Sequence, residues 1–226
     1  MSNIGFMQGR LSPQIDGRIQ AFPWRHWESE FEIAAEIGFK VIEWAIDYER
    51  LYENPLITNG GRARINALAQ QYDVTVASLT GNCFMQTPFW KTSGHELSQL
   101  KDDLIAVAKA CPLIGSSLMV VPLVDNGRLD NRHQEDVLVS TLEGYTDLFS
   151  DLGLRVALES DYAPADLVRL LDRLDQTVFG INYDIGNSAA LGFNCTEEFA
   201  AYGEKITDVH IKEMDNIRRL PSCNFN

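Results

Sequence analysis

The sequence predicts an α/β protein of the (β/α)8-barrel type that is incomplete at its C-terminus, with about seven strands. Seven short runs rich in apolar and β-branched residues alternate with six helical stretches along the 226 residues. The repeat is about 30 residues, as in parallel strands joined by helices, and a barrel is its commonest closed form. An open doubly wound sheet is the rival, but residues 5–9 do not form the Gly-rich first turn typical of that fold.

The first two thirds of the chain contain four predicted strands and four predicted helices. The strands are residues 4–7, 39–45, 74–79 and 117–122, and the helices are residues 28–37, 61–72, 96–111 and 134–152. Gly38 and Gly153 directly follow the first and the fourth helix, where a C-cap glycine is favoured. Pro13, Gly17 and Pro23 interrupt regular structure before the first helix, so a long loop is expected there.

The last three predicted strands each carry a side chain that can bind a metal. They are residues 154–159, 178–184 and 208–213, with helices predicted between them at residues 165–174 and 196–202. Because parallel strands of a barrel end at the same face, Glu159, Asp184 and His210 are expected to converge. This mixture of oxygen and nitrogen ligands suits Mn²⁺, Mg²⁺, Co²⁺ or Zn²⁺. The simpler interpretations are a turn-capping role for Asp184 and a core position for His210.

Composition and charge indicate one folded domain over residues 1–226, with residues 214–226 as an atypical tail. No Pro/Gly/Ser-rich linker interrupts the chain, and 45% of its residues are hydrophobic. The net charge of −13 disfavours nucleic acid and anionic membranes as partners. The four cysteines form no C-x-x-C pair and no signal peptide is visible, so we expect reduced thiols in a cytoplasmic protein.

Five further side chains are candidates for binding a substrate. Trp24 lies in the first loop, where it either packs against the barrel or forms an aromatic wall for a sugar. Glu43 is surrounded by apolar neighbours, so it serves either a site or a structural hydrogen bond. Asn187 is a candidate for sugar hydroxyls, Lys212 for a phosphate or an enediolate oxygen, and Arg10, together with Arg18, for a phosphate. Each of these is also an ordinary loop or surface residue.

Taken together, these segments resemble the xylose isomerase-like TIM barrel superfamily, and most closely its sugar phosphate isomerase/epimerase and ketose 3-epimerase group. The resemblance covers the chain to about Lys212. It is carried by Gly5-Phe6-Met7-Gln8-Gly9-Arg10-Leu11-Ser12, Ile42-Glu43-Trp44, Ala157-Leu158-Glu159, Tyr183-Asp184-Ile185-Gly186-Asn187 and Val209-His210-Ile211-Lys212. It implies a divalent metal held by Glu159, Asp184, His210 and a final glutamate, a small sugar or sugar phosphate as substrate, and dimers or tetramers.

The resemblance also implies the chemistry. One glutamate removes the proton beside the carbonyl of a ketose, the metal stabilises the enediolate, and a second glutamate returns the proton on the opposite face. Glu159 corresponds to one of the two glutamates. The other is expected on an eighth strand, yet the segment after His210 is shorter than the helix and strand that it needs. Glu213 is a poor substitute, because strand alternation directs it to the other face.

We therefore expect a truncated family member with impaired or no turnover. The alternatives are a related metal-dependent dehydratase or lyase acting on an inosose-like ring, and a non-catalytic truncated barrel. The endonuclease branch of the superfamily is disfavoured, because it needs a ligand set richer in histidine and a less acidic surface.

Overall fold

A computed structural model of the protein describes residues 4–15, 17 and 21–212. Seven parallel strands form one sheet in which each strand pairs with the next one along the chain. In order they are β1 (Phe6–Met7), β2 (Val41–Ala45), β3 (Thr75–Thr80), β4 (Leu118–Leu123), β5 (Arg155–Ser160), β6 (Phe179–Asp184) and β7 (Ile206–His210). The predicted incomplete barrel is confirmed for the described residues. The predictions for Arg18, Glu213 and residues 214–226 fall outside these residues.

Helices surround the sheet and connect its strands. They are α1 (Ser29–Ile37), α2 (Asn59–Tyr72), α3 (Asn82–Gln86), α4 (Gly94–Ala110), α5 (Arg132–Glu143), α6 (Thr146–Asp151), α7 (Pro164–Leu171), α8 (Ile185–Leu191) and α9 (Cys195–Tyr202). Gly38 ends α1 in the left-handed conformation, with φ of 90°, as the sequence predicts. Among the described residues, none of the helices has both the length and the apolar character that crossing a bilayer requires.

Three local predictions differ from the structure. The single helix expected over residues 134–152 is two helices, α5 and α6, which are separated at Gly144 and Tyr145. The short helices α3 and α8 lie in segments for which the sequence predicts no helix. In α8, the side chain of Asp184 caps the first turn by accepting a hydrogen bond from the backbone N–H of Asn187.

The sheet is buried against the helices in its middle and more exposed at its last strand. All six residues of β6 are buried. In β7 the outward-facing Val209 is 46% exposed, and Ile211 just beyond the strand is 82% exposed. Within the described residues, β7 pairs with β6 alone and β1 with β2 alone, as expected for an incomplete barrel.

The cysteines only partly match the expectation of reduced thiols. Cys83 and Cys111 are free and buried, and burial raises the pKa of both thiols, that of Cys111 to about 12. They are therefore structural thiols with little thiolate character. Cys195 is disulfide-bonded, so the expectation is wrong for that residue. The cytoplasmic location stays a prediction.

Candidate functional site

The carboxyl ends of β5, β6 and β7 bring three predicted metal ligands together. Asp184 and His210 are the last residues of β6 and β7 and are paired in register, and Glu159 lies one residue before the end of β5. One ligand atom from each of the three lies within 4.8 Å of the others. The parallel arrangement therefore produces the convergence that the sequence predicts.

Glu159 is buried and held by two amide groups. Nδ2 of Asn187 donates to Oε1 at 2.6 Å, and Nδ2 of Asn182 donates to Oε2 at 3.2 Å. Burial raises the pKa of Glu159, and Asp184 raises it further, while His210 and Lys212 oppose the rise. A carboxyl group with a raised pKa is suited to accept and return a proton near neutral pH.

Asp184 uses its two oxygens for different contacts. Oδ1 accepts the backbone N–H of Asn187 at 2.8 Å, which caps α8. Oδ2 pairs with Nζ of Lys212 at 2.7 Å. The capping role considered from the sequence is therefore present, and it leaves the second oxygen directed to the cationic side of the site.

His210 has acidic side chains at both of its ring nitrogens. Nδ1 faces Glu159 Oε2 at 3.8 Å, and Nε2 faces Glu43 Oε2 at 3.0 Å and Asp208 Oδ2 at 3.7 Å. Burial lowers the pKa of His210, but the surrounding carboxylates outweigh it and raise the pKa to about 9. The neighbouring carboxylates therefore favour the protonated form of the ring.

Glu43 lies inside the barrel next to the predicted ligands. Its Oε1 accepts the hydroxyl of Thr80, and its Oε2 accepts the hydroxyl of Ser78 at 3.1 Å. Together with Asp208 and His210, Glu43 forms a second set of side chains with metal-ligand spacing. Both interpretations made from the sequence, a site residue and a structural hydrogen-bond partner, therefore agree with its position.

The remaining predicted substrate contacts lie in different surroundings. Asn187 and Lys212 border the site through their contacts with Glu159 and Asp184. Trp24 is half-buried in the first loop, packs edge-on against Phe22, and lies 3.9 Å below the guanidinium of Arg50. Its packing role is therefore present, and a role in sugar binding stays a prediction.

Arg10 is exposed in the first loop, which a buried carboxylate holds in place. Glu30 of α1 is fully buried and accepts the backbone N–H of Gly9, at 2.9 Å, and of Leu11, at 3.1 Å. Gly9 has φ of 89°, a conformation that side chains with a Cβ rarely adopt. The loop backbone around Arg10 is therefore fixed, and the proposed phosphate contact of Arg10 stays a prediction.

The donor set fits a divalent cation. Ligands at about 2.1 Å from one ion lie up to about 4.2 Å apart, so small side-chain rotations would close the 4.8 Å set. In addition, Oδ1 of Asn182 is buried and has no hydrogen-bond partner among the described residues, which leaves an oxygen donor beside the set. Lys212 already places a positive charge on Asp184, and a metal would compete with it.

Asn182 and Asp208 are site residues that the sequence analysis missed. Each lies two positions before a predicted ligand on the same strand, Asn182 before Asp184 and Asp208 before His210. Since alternate residues of a strand share a face, this spacing already placed both side chains inside the barrel. The same periodicity relates Ser78 to Thr80 on β3.

With the fold and the site defined, comparison with known proteins identifies the family. A sequence profile described as xylose isomerase-like TIM barrel matches residues 31–220, which is most of the chain. The chain belongs to the xylose isomerase-like TIM barrel family. The resemblance inferred from the five sequence segments is thereby confirmed. No curated protein matches the sequence of this family member significantly.

Solved structures show the same fold at low sequence identity. With 3-keto-D-glucoside 4-epimerase from E. coli the identity is 16% and the TM-score 0.68, over 92% of this chain and 78% of that one. A xylose isomerase-like TIM barrel protein from Mycobacterium smegmatis in complex with magnesium has 17% identity and a TM-score of 0.68. The match covers 92% of this chain and 74% of that one. An AP endonuclease of family 2 from Brucella melitensis has 13% identity and a TM-score of 0.68, and the match covers 96% of this chain and 83% of that one.

Proposed function

We propose that this xylose isomerase-like protein is a divalent-metal-dependent isomerase or epimerase of a small sugar or sugar phosphate. The observation that carries the proposal is the convergence of Glu159, Asp184 and His210 at the ends of three neighbouring strands. Two carboxylates and an imidazole are a ligand set for Mn²⁺, Mg²⁺, Co²⁺ or Zn²⁺. The magnesium bound by a protein of the same fold supports this choice of cation.

Glu159 is the proposed catalytic base. Burial raises its pKa, and two asparagine amides fix its orientation, so the carboxylate is positioned to remove a proton beside a substrate carbonyl. A bound metal would supply Lewis-acid stabilisation of the enediolate that this proton loss creates. Lys212, whose ammonium lies at the same site, is placed to contact a substrate oxygen or phosphate.

A sugar substrate is supported by two observations. A sugar epimerase is among the structures with this fold. The net charge of −13 disfavours a nucleic-acid substrate, although the fold is shared with an AP endonuclease. A dehydratase or lyase of an inosose-like ring uses the same ligands and base, and a non-catalytic barrel would retain the ligands without turnover.

Solvent proton exchange is the test that separates these functions. The metal-free protein is reconstituted with each of the four cations and incubated in D₂O with ketopentoses, ketohexoses, their phosphates and an inosose. Proton NMR then measures how fast the signal of the proton on the carbon next to the carbonyl is lost to deuterium. Exchange requires one base only, whereas epimerisation also requires protonation of the opposite face, so exchange detects Glu159 even where epimerisation is slow.

The outcomes separate the candidates. Metal-dependent deuterium incorporation into a ketose supports the isomerase or epimerase. Loss of water from the inosose without exchange into ketoses supports the dehydratase. A protein that binds metal tightly and exchanges no substrate proton contradicts both and supports a non-catalytic barrel. Oligomeric state, for which dimers or tetramers are predicted, is measured on the same samples by light scattering.

A further inference from the structure

A contact across the barrel interior joins two strands that are not neighbours in the sheet. Glu43 of β2 and His210 of β7 meet with Oε2 and Nε2 3.0 Å apart. Strand pairing does not produce this contact, since four strands separate β2 from β7 in the sheet order. Both side chains are mostly buried, at 10% and 14% exposure, so the contact is shielded from water.

The carboxylate of Glu43 is held in place by hydrogen bonds that do not involve His210. The Thr80 hydroxyl donates to Oε1 and the Ser78 hydroxyl donates to Oε2. Both donors come from β3, which pairs directly with β2. Glu43 therefore presents a rigid acceptor to the Nε2 edge of the imidazole and has little capacity left for a substrate hydroxyl.

The opposite edge of the imidazole faces the predicted metal ligands. Nδ2 of Asn182 lies 3.2 Å from Glu159 Oε2 and 3.0 Å from His210 Nδ1. The amide must direct its nitrogen toward the Glu159 carboxylate, because the reverse orientation would place two oxygens in contact. In the neutral ring, Nδ1 is then the acceptor and Nε2 carries the proton, which points to Glu43.

We propose that Glu43 is a positioning residue for His210. By accepting the Nε2 proton, Glu43 would fix the tautomer and the ring orientation that keep Nδ1 on the side of Glu159. A divalent cation would replace the Asn182 amide as the partner of the Nδ1 lone pair. A carboxylate that orients a metal-binding histidine in this way raises its basicity as a ligand. The inference rests on the proposed metal-dependent function, and it assigns to Glu43 a role other than substrate binding.

Two other roles for Glu43 make different demands on the geometry. In one, Glu43 binds metal itself with Asp208 and the Nε2 atom of His210. In the other, it acts only through its negative charge. Side-chain length separates the second role from positioning, because Glu43→Asp keeps the negative charge but withdraws the carboxylate from the Nε2 atom that lies 3.0 Å from it.

The test compares Glu43→Gln, which removes the charge but keeps the side-chain length, with Glu43→Asp, which keeps the charge but shortens the side chain. Metal affinity of the full chain is measured by isothermal titration with Mn²⁺ and Zn²⁺. Glu43→Gln is expected to weaken binding by about 10- to 100-fold, as for other residues that orient a metal ligand. Glu43→Asp is expected to weaken binding by at least about tenfold as well, because the shorter side chain no longer reaches Nε2.

The second readout is the protonation state of the ring. In ¹⁵N-labelled protein loaded with Zn²⁺, long-range ¹H–¹⁵N spectra report both nitrogens of His210, whose signals are assigned by their loss in His210→Gln. The expected result is metal at Nδ1 and a proton at Nε2. Metal at Nε2, or an affinity in Glu43→Asp equal to that of the wild type, would overturn the proposal.

A milder variant covers the case in which Glu43→Gln does not fold. Ser78→Ala leaves the carboxylate in place and removes one of its donors, so metal binding should weaken about threefold, and an unchanged affinity contradicts the proposal.

The same measurements distinguish this inference from the proposed function. If Glu43→Gln loses metal but the wild type exchanges no substrate proton, the positioning role stands and the enzyme assignment fails. If Glu43→Gln binds metal as well as the wild type does, the positioning role fails alone. A wild type that binds no metal contradicts both.

Discussion

Two buried glutamates in this barrel have opposite surroundings. Glu135 of α5 is 1% exposed and is paired with three arginines, Arg132 at 2.8 Å, Arg169 at 2.7 Å and Arg173 at 2.6 Å. Glu159 of β5 is 7% exposed. It is contacted by neutral amides and lies beside Asp184, so its pKa is raised by burial and by the neighbouring carboxylate.

The difference shows that a buried carboxylate can serve the stability of the fold or the chemistry of a site, depending on the charges around it. Around Glu135, guanidinium groups supply the positive charge that a buried carboxylate needs. Glu159 and three other carboxylates, those of Asp184, Glu43 and Asp208, have His210 and Lys212 as their cationic partners among the described residues. The site at the strand ends is therefore deficient in positive charge, which is the electrostatic condition for binding a divalent cation.

The largest expected difference between the two glutamates is catalytic. Glu159→Gln should lower metal-dependent proton exchange by at least about 100-fold, because the proposed base is lost. Glu135→Gln should leave the exchange rate of the folded protein within about threefold, because its partners are three arginines that do not contact the predicted metal ligands. Exchange rates from NMR in D₂O measure both. Comparable losses in the two variants would remove the distinction between a structural and a functional carboxylate.

The next difference is in the free energy of unfolding. Replacing the carboxylate by an amide should lower it at Glu135 and raise it at Glu159. Glu135→Gln should destabilise the protein by about 1 to 3 kcal/mol, because three arginines lose a charged hydrogen-bond partner. The raised pKa of Glu159 means that its contribution favours folding below its unfolded pKa and is lost as pH rises through its folded pKa. Above that pKa, Glu159→Gln should therefore stabilise the metal-free protein. Thermal melting without metal measures both variants, and a destabilised Glu159→Gln contradicts the comparison.

The third difference is in the pH dependence of metal binding. The pKa of His210 is raised from 6.5 to about 9, so its contribution to the stability of the metal-free protein is complete below 6.5 and is lost as pH rises to 9. Metal must displace that proton, and its affinity should therefore rise about tenfold per pH unit across this range if one proton is released.

Titration calorimetry in buffers of different ionisation enthalpy counts the released protons. Glu135→Gln is the control and should retain the slope of the wild type. A metal affinity that does not change between pH 6.5 and 9 would show that the metal does not compete with a proton on His210.

The sequence predicted the strand-end ligands better than it predicted their surroundings. Glu159, Asp184 and His210 were found because the βα repeat places strand ends at one face, so the chain order already determines their convergence. The splitting of the helix expected over residues 134–152 was missed, because apolar periodicity continues through Gly144.

Contacts between distant strands were not predictable in the same way. The hydrogen bond between Glu43 and His210 depends on how far the sheet curls, which no local pattern records. The arginines around Glu135 come from α5, from α7 and, for Arg173, from the turn after α7, and their convergence depends on helix packing. Alternation on β6 and β7 does contain the positions of Asn182 and Asp208, because each lies two residues before a ligand on the same face of its strand.

The smallest expected effect tests whether the ammonium of Lys212 competes with a divalent cation for the carboxylate of Asp184. Lys212→Met removes the ammonium that pairs with Asp184 at 2.7 Å, so metal affinity should rise about two- to fivefold. Lys40→Met, which breaks the exposed pair with Asp73, is the matched control and should change nothing. If Lys212→Met instead weakens metal binding, the lysine holds Asp184 as the arginines hold Glu135, and the contrast between the two carboxylate clusters is smaller than their charges indicate.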